Sequence, residues 1–257
     1  MLSLSEIERF YPNNQRVFKR NILREYLQYK ILEIVFNSDY TNKLAFMGGT
    51  CLKIVFSTNR FSEDLDFDNF GLTIEEFETL SKIIAKNLES EGYLVEIKII
   101  NKGAFHCYIK IPNLLFNFEL SGYREEKILI QLDSENQPFK YSPSSFLLNK
   151  FDVFTEIFYT PQDILLAQKL WAIINRKNTK GRDIYDSIFL FSITKPDYDY
   201  LYSKCKISNL KELKDMINNK LIDINLNQLT EDIRPFIINS TDIERIKLFP
   251  QLINSLK

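Results

Sequence analysis

Two aspartates separated by one apolar residue are the strongest chemical signal in this chain. Asp64 and Asp66 flank Leu65, and residues two apart on a strand project from the same face of a sheet. Two carboxylates on one face repel each other unless a cation lies between them. Carboxylate oxygens are hard ligands that suit Mg²⁺, and Mg²⁺ in proteins usually binds substrate phosphates as well. The pattern therefore predicts a metal site that handles phosphorylated substrates.

A glycine turn precedes this pair of aspartates. Gly48, Gly49 and Thr50 stand between an apolar strand, 44–47, and an apolar helical stretch, 51–56. Backbone N–H groups at the start of a helix bind anions, so the turn is a candidate for holding phosphate oxygens. Alone, a Gly-Gly turn is often only a connection, and an Asp pair can lie on a solvated edge. The succession of the two is the more specific signal.

At these positions the chain resembles the nucleotidyltransferase superfamily with the polymerase-beta-like core. The superfamily signature is a Gly-Gly or Gly-Ser turn, a short helix, and then Asp-hydrophobic-Asp/Glu-hydrophobic. Residues 48–50 and 64–67 have this order and spacing. With Arg60 and Ser62 included, the string is more specifically similar to the AbiEii/AbiGii toxin family.

A second match to that family lies downstream. Lys169 falls within an apolar helical run, and Arg182, Asp183 and Asp186 form an Arg-Asp-x-x-Asp string in the next predicted helix. The resemblance extends over residues 22–191 and covers four motifs in the family's order.

The resemblance implies a fold, an activity and partners. The implied fold is α/β (α+β), a nucleotidyltransferase core with a mixed β-sheet flanked by helices, followed by a C-terminal helical region. The implied reaction transfers NMP from an NTP to an acceptor and releases pyrophosphate, with Mg²⁺ or Mn²⁺ as the cofactor. Members act as toxins of bacterial toxin–antitoxin or phage-defence operons, and some modify tRNA ends. We therefore expect NTP, an RNA acceptor (tRNA) and a cognate antitoxin as partners.

The superfamily usually has a third carboxylate on a later core strand, and two residues compete for that position. Asp133 ends the apolar run 128–133, whereas Glu119 lies on the preceding predicted strand, 114–120. We favour Asp133 as the third metal ligand, beside Asp64 and Asp66. The alternative that neither residue is a ligand stays open.

Lys169 is the candidate cation for the phosphates. Its neighbours three and four residues away on the predicted helix are all apolar, so its ammonium must reach solvent or meet an anion. That anion could be an NTP triphosphate or the carboxylate of a neighbouring Asp64 or Asp66. Asp183 and Asp186 could orient Lys169 or Arg182, or form an exposed ladder with the arginine. The residues predicted to bind nucleotide are Gly48, Gly49, Thr50, Arg60, Ser62, Lys169, Arg182, Asp183 and Asp186, and those predicted to be catalytic are Asp64, Asp66, Asp133 and Lys169.

Composition limits the number of domains, the kinds of partner and the cellular compartment. A chain of 257 residues fits one or two domains, and its net charge of −1 provides no overall basic field for nucleic acid. Three cysteines without paired spacing indicate reduced thiols, and a single histidine, His106, excludes a His-rich zinc site and is expected to be structural. No apolar run is long enough to span a bilayer. We expect a cytoplasmic protein with no membrane segment.

A weak boundary near Ser142–Pro143 divides the predicted chain. Residues 1–142 would form the nucleotidyltransferase core, and residues 143–257 would form a helical domain that contributes Lys169 and the two downstream aspartates to the site. Two other functions stay open. The same fold could modify a protein hydroxyl or a small molecule, or it could be a nucleotide-binding module with weak or no turnover.

Overall fold

The computed structural model describes residues 1–257, which form two compact units. Unit 1 comprises Met1–Val55 and Phe61–Tyr159, and unit 2 comprises Phe56–Arg60 and Thr160–Lys257. The chain therefore enters unit 2 briefly, returns to unit 1, and enters unit 2 again at Thr160.

Unit 1 is built on a seven-stranded mixed sheet. The strand order is β3-β4-β5-β2-β1-β7-β6, in which the β2–β5 and β1–β7 pairs are parallel and the others antiparallel. The strands are β1 (Leu44–Met47), β2 (Leu65–Asn69), β3 (Glu96–Lys102), β4 (Ala104–Ile111), β5 (Ile128–Asn136), β6 (Ser144–Lys150) and β7 (Val153–Tyr159). The helices are α1 (Leu4–Glu8), α2 (Lys19–Phe36), α3 (Gly48–Phe56), α4 (Ile74–Ser90) and α5 (Leu114–Asn117). This architecture confirms the predicted mixed sheet flanked by helices.

Alternation along β2 separates the core of unit 1 from its polar face. Leu65 and Phe67 are buried, and the intervening Asp66 belongs to the opposite face. Helices α2 and α4 contact each other, and both contact strands of the sheet. Helix α4 begins at the capping box predicted from the sequence, in which Thr73 and Glu76 satisfy each other's backbone N–H groups.

Unit 2 is helical. Its helices are α6 (Gln162–Asn175), α7 (Gly181–Phe191), α8 (Tyr198–Cys205), α9 (Leu210–Leu221), α10 (Leu226–Ile233) and α11 (Phe249–Ser255), with 3₁₀ segments at Arg234–Phe236 and Ser240–Leu248. Gly181 starts α7 against the backbone of α10, because a Cβ there would lie 2.1 Å from the carbonyl oxygen of Leu229. None of the helices in the chain combines the length and hydropathy that crossing a bilayer requires.

The segment that precedes β2 also belongs to unit 2. Arg60 forms a β-bridge with Ile237, and the backbone N–H of Ile238 donates to the carbonyl of Asn59 at 3.2 Å. These contacts anchor Phe56–Arg60 in the helical unit.

The predicted domain boundary lies one β-hairpin too early in the chain. Residues 144–159 form β6 and β7, and β7 pairs in parallel with β1 through Phe46 and Tyr159. The sheet therefore continues past Ser142–Pro143, and the boundary lies between Tyr159 and Thr160.

Three local predictions are also corrected. Residues 114–120 do not form a strand: consecutive Leu114 and Leu115 are both buried, and they belong to the short helix α5. Asp133 does not end its strand, because β5 continues to Asn136. The string Thr160-Pro161-Gln162-Asp163 predicts a helix that Thr160 caps, but the N-cap of α6 is Pro161 and no side-chain hydrogen bond caps it.

Candidate active site

A row of aligned residues crosses the centre of the sheet in unit 1. Asp66 on β2 is the partner of Met47 on β1 and of Asp133 on β5, and Asp133 is in turn the partner of His106 on β4. Aligned partners on neighbouring strands project from the same face of a sheet. The fold therefore brings Asp66, Asp133 and His106 side by side, although they are far apart in the sequence.

Gly48 and Asp66 form a close contact at the start of α3. Gly48 has a φ of +78°, and a Cβ at this position would lie 2.2 Å from Oδ2 of Asp66. The residue must therefore be glycine both for its backbone conformation and for the space that the Asp66 carboxylate occupies. The first backbone N–H groups of a helix have no partner within the helix, and the Asp66 carboxylate lies next to this end of α3.

Thr50 and Gln28 hold the segment that leads into β2. The buried Thr50 hydroxyl donates to the backbone carbonyl of Asp64. Gln28 Nε2 donates to the carbonyls of Ser62 and Glu63 at 3.0 and 2.9 Å. Because Thr50 uses its single hydroxyl proton on Asp64, its side chain positions the aspartate motif, whereas its predicted phosphate contact remains a prediction.

Asp133 accepts hydrogen bonds from two side chains. His106 Nδ1 lies 2.7 Å from Oδ1 of Asp133, and Gln131 Nε2 donates to both carboxylate oxygens at 2.9 Å. The rival carboxylate, Glu119, is exposed in the turn after α5 and lies on no strand. Of the two predicted candidates, only Asp133 is aligned with Asp66.

Asp68 is a second aspartate on the face of β2 that carries Asp66. Its side chain is buried and accepts from Gln137 Nε2 at 2.9 Å and from the Tyr141 hydroxyl at 2.5 Å. Sequence reasoning overlooked it, although the spacing Asp64-x-Asp66-x-Asp68 was legible. Gln131 was also overlooked, although its spacing of two residues from Asp133 on β5 was legible.

The chemistry of these donors fits a divalent cation bound together with a phosphorylated substrate. Adjacent strands lie about 4.8 Å apart, so Asp66 and Asp133 present hard oxygen ligands at neighbouring positions. No group of three or more His, Cys, Asp or Glu side chains converges closely enough to hold a metal ion. The metal-binding role of Asp64, Asp66 and Asp133 therefore remains a prediction. Mg²⁺ is commonly held by only one or two carboxylates and completed by substrate phosphates.

Unit 2 contains a separate network of buried charges. Arg60 contacts Asp186 through two parallel hydrogen bonds, Nε to Oδ1 at 2.6 Å and Nη2 to Oδ2 at 2.7 Å. Lys169 Nζ lies 2.9 Å from Asp186 and 3.3 Å from Asp183. Arg176 Nη1 lies 2.7 Å from the other oxygen of Asp183. Two carboxylates are thus shared among three cations.

Burial and charge oppose each other at the centre of this network. Burial alone would raise the pKa of Asp186, but the positive charges of Arg60 and Lys169 outweigh it and hold the pKa below its ordinary value. Burial alone would lower the pKa of Arg60, and Asp186 outweighs it, so that this pKa is raised. The pair is therefore fully ionised at neutral pH, as expected for a bidentate Arg–carboxylate contact.

The network identifies the anions beside Lys169 as Asp183 and Asp186. Arg60, which we expected at the phosphates, has only 2% of its side chain exposed and is paired with Asp186. Arg182 lies on the exposed side of α7, next to the buried Asp183. The nucleotide-binding roles of these residues remain predictions.

Comparison with solved structures places the fold among the nucleotidyltransferases. A protein from H. pylori that is assigned as a nucleotidyltransferase superimposes with a TM-score of 0.55 at 18% sequence identity, covering 90% of this chain and 93% of that one. A search of the curated proteins found no match.

The family comparison is more specific than the likeness of fold. The family described as "Nucleotidyl transferase AbiEii toxin, Type IV TA system" matches residues 30–245. This match includes the glycine turn, the carboxylate row and the buried charge network. The chain belongs to the AbiEii family of nucleotidyltransferase toxins.

Proposed function

We propose that this protein transfers NMP from an NTP to a hydroxyl group of an RNA acceptor, with tRNA as the first candidate, and that it acts as the toxin of a toxin–antitoxin pair. The observation that supports this proposal best is the alignment of Asp66 with Asp133, directly beside the Gly48 turn. This arrangement would place metal-binding carboxylate oxygens and phosphate-binding N–H groups around the same substrate.

The proposed reaction joins the acceptor oxygen to the α-phosphorus of the NTP and breaks the α–β phosphoanhydride bond. Pyrophosphate leaves with the electron pair of that bond, and the acceptor hydroxyl gives up its proton, for which Asp133 would be the neighbouring carboxylate base. A bound Mg²⁺ or Mn²⁺ would neutralise charge on the triphosphate and stabilise the leaving oxygen. Asp64 and Asp66 would hold the cation, with Asp133 as the neighbouring carboxylate.

The protein groups around this metal would act mainly by positioning. Backbone N–H groups of Gly48, Gly49 and Thr50 would bind phosphate oxygens at the start of α3. The carbonyl of Ser62 accepts a hydrogen bond from Gln28. Ser62 lies in the segment that leads to Asp64 and would help to position that aspartate. Orientation and fixed electrostatics supply most of the rate in phosphoryl-group chemistry.

The predicted contribution of unit 2 to nucleotide binding is part of this proposal. Lys169 carries the positive charge that a triphosphate needs, with Arg182 as an exposed cation and Asp183 and Asp186 as the residues that orient the lysine. A phosphate that contacted Lys169 would compete with those two aspartates for its ammonium group. Binding of NTP would therefore redistribute charge within the network.

The test is transfer of label by the purified protein. We would incubate it with Mg²⁺, total tRNA and each of the four α-labelled NTPs, beside an Asp66→Asn protein as the matched control. Label in RNA with the wild-type protein alone would support the proposal and would identify the nucleotide. Mn²⁺ in place of Mg²⁺ tests the metal preference.

Absence of label in RNA would contradict the RNA acceptor. Label in protein or in a small molecule would then favour modification of a protein hydroxyl or a small-molecule acceptor. Tight binding of NTP without release of pyrophosphate would favour a nucleotide-binding module.

A further inference from the structure

Asp133 is held asymmetrically by its two hydrogen-bonding partners. Oδ1 accepts from both His106 and Gln131, whereas Oδ2 accepts from Gln131 alone. A carboxylate oxygen has two lone pairs, so Oδ2 has the greater remaining capacity for a further donor or a cation. The pairing therefore distinguishes two oxygens that are chemically equivalent in an isolated carboxylate.

The contact also selects one form of the histidine. An ionised carboxylate only accepts hydrogen bonds, so the Nδ1 atom of His106 must carry a proton. In the neutral ring, Nε2 then has no proton and is an acceptor. Carboxylates that bind metals are commonly held by hydrogen bonds from neighbouring groups, as Asp133 is here.

Stability alone does not account for this contact. The His106 and Asp133 side chains are each 24% exposed, and a single hydrogen bond contributes only about 0.5–1.5 kcal/mol to folding. Both residues lie in the same cross-strand row as Asp66. The position of the pair, beside the proposed metal ligand, favours a role in the reaction.

We infer that His106 is a positioning residue for the transfer reaction. It fixes the Asp133 carboxylate, together with Gln131, so that Oδ2 is presented to the acceptor hydroxyl or the metal. This inference rests on the proposed nucleotidyl transfer. It also replaces the expectation that His106 is a purely structural residue of β4.

Three substitutions of His106 separate positioning from packing. His106→Asn places an amide nitrogen near the position of Nδ1 and can still donate to Asp133. His106→Gln places its amide near Nε2, and His106→Phe keeps the ring without a donor. We expect the Gln and Phe proteins to lose about 10- to 100-fold in kcat, the usual effect of removing a partner of a functional ligand, and the Asn protein to keep most of the activity.

Two controls accompany these kinetics. The KM for NTP should stay close to the wild-type value, because Asp64, Asp66 and the Gly48 turn are untouched, and the urea midpoint of unfolding should be similar in all three variants. Equal activity in the Phe and wild-type proteins would overturn the inference. So would equal losses in the Asn and Phe proteins.

A second measurement does not require activity. The chain has a single histidine, so, with any histidine tag removed, ¹⁵N NMR of the imidazole in mildly alkaline buffer reports on His106 without assignment. We expect a protonated Nδ1 in the wild-type protein and loss of that preference in Asp133→Ala, which removes the accepting oxygen. A wild-type ring protonated only at Nε2 would contradict the contact itself.

The two measurements distinguish failure of this inference from failure of the proposed function. If the wild-type protein transfers nucleotide but is indifferent to His106, the positioning role is wrong and the function stands. If the wild-type protein transfers nothing to any acceptor, the proposed function fails, and with it the role in transfer. The NMR result then decides only whether His106 holds Asp133.

Discussion

The molecule has two clusters of carboxylates, and they are organised in opposite ways. In unit 1, Asp66 and Asp133 are half-buried neighbours on one face of a sheet. In unit 2, Asp183 and Asp186 are almost fully buried, and each contacts two cations. The first cluster places two carboxylates side by side on a sheet, whereas the second places each of its carboxylates against two cations.

This difference indicates what each cluster contributes. Two adjacent carboxylates favour a cation between them, so the first cluster is suited to binding a metal. Buried charges that already have partners are costly to disturb, because removal of one partner leaves an uncompensated charge. We therefore expect mutations in the first cluster to affect activity and mutations in the second to affect stability.

The largest expected effect on stability follows from Asp186→Asn. This change leaves the Arg60 guanidinium buried without its counter-charge, which should lower the free energy of unfolding by about 3–5 kcal/mol. Urea denaturation monitored by circular dichroism measures the loss. Glu231→Gln, which removes the acid from an exposed arginine pair on α10, is the matched control and should change little. Equal effects of the two changes would show that burial does not distinguish the pairs.

Asp66→Asn should reduce the transfer activity and change the stability little. Loss of one carboxylate that would hold the metal at the transferring phosphates should reduce kcat by about 10²- to 10³-fold. Because asparagine is nearly isosteric with aspartate, the urea midpoint should stay close to the wild-type value. Pyrophosphate release and denaturation of the same preparation test both parts. An unfolded Asp66→Asn protein would contradict the contrast between the clusters.

Gly48→Ala tests the contact between the turn and the aspartate. A positive φ costs a residue with a side chain about 1–2 kcal/mol, and the new Cβ would also displace the Asp66 carboxylate. Gly103→Ala is a close control, since Gly103 has a φ of +76° and open space around its Cβ position. We expect similar backbone strain in both variants but loss of transfer only for Gly48→Ala. Full activity of Gly48→Ala would indicate that the Asp66 position is not critical.

The smallest predicted effect concerns acid stability. Because the pKa of Asp186 is lowered in the folded protein, its contribution is present above the pKa of an unfolded aspartate, about 3.9, and disappears as the pH falls through the lower folded value. The stability difference between wild type and Asp186→Asn should therefore narrow below about pH 4. Denaturation curves measured across this range test the sign, and a difference that widened in acid would refute it.

Local patterns in the sequence predicted the parts of the site that one segment forms. The glycine turn, the alternation along β2 and the capping box of α4 depend on residues within a few positions of each other. The register between β2 and β5 does not, because it depends on how distant strands pair. For this reason the sequence could suggest Asp133 as a metal ligand but could not show that it is aligned with Asp66. Its hydrogen bond with His106 was not foreseen either.

The errors have the same physical origin. A buried pair such as Leu114 and Leu115 fits either a short helix or a covered strand, and tertiary packing decides between them. The hairpin β6–β7 follows a proline and polar residues that resemble a linker, but its pairing with β1 extends the sheet. Arg60 resembles a phosphate ligand in the motif, and only the fold brings it to Asp186.

The short excursion Phe56–Arg60 has a consequence for how this protein can be divided or inherited. The helical unit is discontinuous in the chain, and one of its buried cations is encoded a hundred residues before the rest. A fragment that begins at Thr160 would retain Asp186 but lack Arg60. Recombination that exchanged only the segment from Thr160 onward would therefore pair Asp186 with whatever residue the other parent has in place of Arg60. The two halves of the gene are expected to evolve as one unit.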